Sequence, residues 1–111
     1  MVDSICSNED VPMPDRHMRP NMTAKEINEA IELVRPEMQK RLKDKGWGAF
    51  ASIHEVLGVV NEEHDELIDA VRDNDLEAVE AELMDIAIPA IFAIACIRAG
   101  KIADPGKPKR P

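Results

Sequence analysis

Two short stretches of this chain place carboxylates where they could work together. NEEHDEL carries Glu63 and Glu66 three residues apart, and ELMD carries Glu82 and Asp85 at the same spacing. On a helix that interval puts both side chains on one side. A hairpin folded about a turn near Asn74 sets Glu66 opposite Glu82 and Glu63 opposite Asp85, all about 11–17 Å from the turn at a rise of roughly 1.5 Å per residue. Four carboxylates brought so close repel one another. The usual remedy is a hard dication with a preference for oxygen, Mg²⁺ or Mn²⁺, and the combined charge could hold two if phosphates completed their shells.

Asp85 sharpens this expectation because it lies inside the apolar run ELMDIAIPAIFAIACI. A lone carboxylate there would be driven toward its neutral form, so it needs a cation or hydrogen-bond donors. Glu62, beside the motif, could activate water, stand behind the ligands or be plain surface. Asp65, Asp69, Glu77 and Glu80 read as solvated surface.

The elements that must position these groups are helices. TAKE, Thr23 to Glu26, is a capping box, followed by Ile27, Ile31, Val34, Met38 and Leu42 at helical spacing. Pro36 is expected to kink or split this helix near residues 33–35, and KGWG ends it. SIHE, Ser52 to Glu55, is a second capping box. Behind it Ile53, Val56, Leu57, Val60, Leu67, Ile68 and Val71 form an apolar stripe that includes His64, read as a hydrogen-bonded core residue.

RDND makes the turn, with Asn74 expected to cap a third helix from about Asp75 to Arg98. That helix places Leu76, Val79 and Leu83 on one face and becomes apolar all round after Leu83. Pro89 lacks the amide that would bond the Asp85 carbonyl, so a bend is expected just past the site. An apolar surround implies a helix central to a bundle or a subunit interface, so the chain is expected to form an oligomer.

Composition bounds the alternatives. The chain has 111 residues, 44% apolar and 32% charged, enough for one small domain with a modest core. Fourteen basic residues against 22 acidic ones, a net charge of −8, argue against a nucleic-acid polymer as partner. Cys6 and Cys96 suggest neither a disulfide framework nor a C-x-x-C metal site, which points to a reducing cytoplasm. The acidic N-terminus does not read as a signal peptide. The apolar run falls short of the ~20 residues a membrane span needs and is interrupted by Asp85 and Pro89. Residues 1–22 read as a polar leader, 23–100 as one helical domain and 101–111 as a basic, proline-rich tail.

At the carboxylate motifs the chain resembles the MazG-like, all-α nucleoside triphosphate pyrophosphohydrolases. Their EExxE followed on the next helix by ExxD stands here as Glu62-Glu63-His64-Asp65-Glu66 and Glu82-Leu83-Met84-Asp85, within a resemblance covering roughly Gly46 to Gly100. The long leader and Pro89 depart from the commonest family pattern. The resemblance implies Mg²⁺-dependent hydrolysis of a nucleotide between the α- and β-phosphates, in a homodimer or homotetramer of helices. It makes Glu63, Glu66, Glu82 and Asp85 the metal ligands, and Glu62 could then take the proton of the attacking water.

The same resemblance makes Trp47 and Phe50, in KGWGAF, candidates to hold the base. Packing of Trp47 on the core is an equal alternative. His54 is a further candidate substrate contact. Candidate phosphate-binding cations are Arg98, Lys101, Lys107, Lys109 and Arg110.

Other metal chemistries fail on the letters. HEVLG lacks the second histidine of HExxH, and neither His54 nor His64 has the glutamate three residues earlier that a di-iron bundle uses. Two rival readings stay open: a non-catalytic helical oligomerisation or partner-binding module, and a pyrophosphohydrolase acting on a phosphoribosyl-nucleotide.

Overall fold

Thr23 starts the first helix as its sequence requires. Its Oγ1 accepts from the Glu26 amide at 3.1 Å while Glu26 Oε1 accepts from the Thr23 amide at 2.9 Å. The computed structural model describes residues 18–102. Most of the leader, Cys6 and the tail cations Lys107, Lys109 and Arg110 lie outside them. The described residues form three helices and no strand: α1 (Ala24–Lys45), α2 (Ile53–Arg72) and α3 (Leu76–Arg98).

α1 is not split at Pro36, which sits inside one continuous helix. A proline removes a single backbone donor. The i,i+3 pair Glu32–Arg35 (3.3 Å) and the i,i+4 pair Glu37–Arg41 (3.1 Å) flank it on either side. Pro89 likewise lies within an unbroken α3. The Gly46 amide donates to Leu42 at 2.7 Å and closes α1 with a positive φ of 99°, a conformation open to glycine without a Cβ clash.

The α2 cap differs in detail from a standard capping box. Ser52 Oγ accepts from the Glu55 amide, but the Glu55 carboxylate reaches back to Ala51 at 2.7 Å and not to Ser52. At the hairpin turn the expected cap also shifts by one residue. Asp75, not Asn74, is the N-cap of α3, with its Oδ1 accepting from the Ala78 amide at 3.1 Å. Asn74 takes the left-handed position, φ 53°, which asparagine tolerates better than most residues. A tight reversal needs both jobs done, and each falls to the residue suited to it.

α3 ends in a Schellman arrangement. Lys101 donates to the Cys96 carbonyl and Gly100, at φ 70°, to that of Ile97.

α2 packs along α3 as an antiparallel hairpin, and α1 leans more sparsely on α3 without reaching α2. This arrangement explains why the core is thin. Ala70, Ile88, Ala93 and Cys96 are buried, yet among the described residues no large side chain is completely sealed. With one neighbour only, the far edge of the α2 stripe faces solvent: Ile53 and Leu57 are exposed, and so is His64, which is therefore not a core residue. Leu76 is 84% exposed at the helix start, and on the outer side of α3 Leu83, Ile94 and Ile97 stay half or more exposed. No described helix is long and apolar enough to cross a membrane.

Candidate metal centre

The hairpin brings the four carboxylates together. Glu63 and Glu66 from α2 and Glu82 and Asp85 from α3 each place one oxygen within 4.8 Å of all the others. Opposite oxygens around a single hard cation stand about 4–5 Å apart, so the spacing suits one ion at its centre. Glu66 opens to solvent, while Glu63, Glu82 and Asp85 are half-buried. One oxygen each of Glu63 and Glu82 is removed from solvent without a hydrogen-bond partner. Buried polar atoms are nearly always paired, so two orphans in one cluster fit a ligand that binds through oxygen.

The electrostatics agree. Burial, then the neighbouring charges of Glu66, Asp85 and Glu62, pushes the Glu63 carboxyl up, with Arg41 opposing. Burial also pushes Glu82 up, followed by the charges of Glu66 and Asp85. Crowded carboxylates resist ionisation because each added charge meets the others at short range. A cation among them removes the conflict. The donors are all carboxylate oxygens, a hard set with no thiolate or imidazole, which fits Mg²⁺, Mn²⁺ or Ca²⁺ better than Zn²⁺.

A fifth residue belongs to the site and escaped the sequence reading. Arg41, on α1, donates from Nη2 to Asp85 Oδ1 at 2.7 Å and from Nε to Glu37 Oε2 at 3.1 Å. These two hydrogen bonds hold its guanidinium firmly protonated in spite of partial burial. A signal was available, since Arg41 follows Val34 by seven residues and Met38 by three, on the face α1 turns inward.

Beside the carboxylates lies a cleft of about 360 Å³ lined by Arg41, Lys45, Phe50, Glu63, Asp85 and Phe92, among others. The two phenylalanine rings meet edge to face, 5.7 Å apart at 65°. Phe92 follows Asp85 by seven residues, so helical spacing already placed them on one face. The cleft is thus lined by two carboxylates, two cations and two aromatic rings.

The other candidate residues are placed differently. Trp47 is 67% exposed and lines a second, apolar groove with Met38, Ile91 and Cys96, so it neither packs in the core nor enters the cleft. His54 is exposed on the first turn of α2 and Glu62 is exposed beside Glu63. Arg98 is exposed at the end of α3, and Lys101 lines the Trp47 groove.

Compared with protein-family models, curated proteins and solved structures, the chain matches none.

Proposed function

We propose that this protein is a divalent-cation-dependent nucleotide pyrophosphohydrolase of the MazG-like kind, cleaving a nucleoside triphosphate to a monophosphate and pyrophosphate. The observation that carries the reading is the convergence of Glu63, Glu66, Glu82 and Asp85, with two solvent-shielded oxygens left unpartnered. The cleft next to them supports it. Phe50 and Phe92 offer an apolar wall to a base, while Arg41 and Lys45 offer positive charge to phosphates.

Glu63, Glu66, Glu82 and Asp85 would hold Mg²⁺ or Mn²⁺. Such an ion neutralises phosphate oxygens and makes water a better nucleophile near neutral pH. The water oxygen forms the new bond to phosphorus as the phosphoanhydride bond breaks, and pyrophosphate leaves. Glu62, close enough to push the Glu63 carboxyl upward, is the carboxylate outside the ligand set that would accept the water's proton. The half-exposed apolar faces of α1 and α3 support a homodimer or homotetramer, and the free, buried Cys96 suits a reducing cytoplasm.

The test is pyrophosphate release across a panel of nucleoside triphosphates and phosphoribosyl-nucleotides, with thermal unfolding measured with and without Mn²⁺. The reading requires turnover of at least one triphosphate and a Tm that rises with Mn²⁺ in the parent but not in Asp85→Asn. Ligand at a hundredfold its Kd adds about 2.7 kcal/mol. Turnover of phosphoribosyl-nucleotides alone selects that substrate class. No turnover and no Tm response would leave a non-catalytic helical module.

A further inference from the structure

Among the described helices α1 packs on α3 and not on α2, and Arg41 reaches from it to the acidic cluster. The guanidinium is held at two points, by Glu37 one turn back on α1 and by Asp85 across the helix interface. Arg41 and Asp85 are each only about a third exposed, at 31% and 30%, so their contact is less screened than an open-surface pair. Its short, charge-assisted geometry adds to its strength.

Asp85 therefore has two suitors. Its Oδ1 accepts from Arg41, yet the same carboxylate is one of four that converge within reach of a single ion. A guanidinium and a divalent cation on one carboxylate repel each other.

We propose that Arg41 is a built-in competitor of the divalent cation for Asp85, so that cation binding weakens the attachment of α1 to α3. This rests on the metal-site reading above and goes beyond it by assigning a regulatory contact to α1. Glu37 is what makes the device reversible, since it keeps the guanidinium beside the cluster after Asp85 is taken. The coupling must run both ways: the cation weakens the Arg41–Asp85 contact by the same factor as that contact weakens cation binding.

The test is Mn²⁺ titration of the full chain, followed by electron paramagnetic resonance, for the parent, Arg41→Gln and Arg41→Lys. A unit charge roughly 6 Å from a divalent ion in water-like surroundings shifts affinity about tenfold. Arg41→Gln should therefore bind Mn²⁺ about tenfold more tightly than the parent. Arg41→Lys should fall between the two, because a lysine ammonium keeps the charge but cannot bridge Glu37 and Asp85 as a fork does. If Arg41→Gln loses its helical circular dichroism, Arg41→Lys carries the test, and its affinity must exceed the parent's.

In the parent alone, Mn²⁺ should also speed amide exchange in α1 relative to α2. Equal or weaker Mn²⁺ binding by the folded variants overturns the competition while leaving the cation site standing. Failure of parent and variants alike to bind Mn²⁺ removes the site, and the competition falls with it.

Discussion

Glu63 and Glu82 stand on different helices, yet each brings a carboxylate oxygen within 4.8 Å of the other's and each keeps Oε1 shielded from solvent without a partner. That shared discomfort has a direct consequence for stability. Both carboxyls are pushed above the ordinary 4.5 by burial first and by neighbouring carboxylates second. Between that value and their raised native values the folded chain binds more protons than the unfolded one, so unfolding free energy falls as pH rises.

In chelator, the Tm should therefore decline on going from about pH 4.5 upward through the raised native values, and Mg²⁺ should reverse the decline. Glu26 acts with the opposite sign lower down, because its hydrogen bonds from Thr23 hold its carboxyl below 4.5. Its contribution is lost as pH falls through that lowered value. Circular dichroism melts across the range check both slopes, and a flat profile in chelator would contradict the crowding described here.

Phe50 and Trp47 precede α2 three residues apart but should respond differently to truncation. Phe50 is half-buried and meets Phe92 edge to face, so Phe50→Ala should cost roughly 1–3 kcal/mol, less than the 3–5 of a fully buried ring. If the protein turns over nucleotide as proposed, the same change should also raise its KM. Trp47→Ala, at a position 67% exposed, should move stability by no more than about 0.5 kcal/mol. Chemical denaturation of the two variants decides, and equal costs would mean that Trp47 is covered in solution.

The hairpin turn offers a test of cap assignment. Asp75→Ala removes the acceptor for the Ala78 amide and should cost about 1 kcal/mol, some 4–8 °C in Tm for a domain of this size. Asn74→Gly keeps a residue that accepts φ 53° and should be near neutral. A larger loss from Asn74→Gly than from Asp75→Ala would return the cap to Asn74.

Ile94 and Ile97, 57% and 56% exposed on the outer side of α3, test the oligomer. The parent should sediment as a multiple of its 12.4 kDa chain. Ile94→Glu should shift it toward the monomer, because a carboxylate is costly in an apolar interface. A parent that sediments as a monomer at micromolar concentration would end the oligomer proposal.

Much of this architecture is written in local chemistry. Capping residues at Thr23 and Ser52, a period near 3.6 in the apolar positions and a polar turn at 73–75 specify three helices, because each rule acts within a few residues. The same short range places Glu63 with Glu66 and Glu82 with Asp85, and two helices joined by a tight turn have little choice but to bring these pairs together.

The rest depends on contacts between residues distant in the chain, which no window of sequence contains. That Arg41 finds Asp85, that His64 faces water despite its place on the stripe, and that Trp47 and Phe50 part into different grooves all follow from α1 leaning on α3 and leaving α2 alone. Periodicity shows which face of a helix is apolar. Only the docking of one helix on another selects the part of that face to be covered and the charge that will meet it.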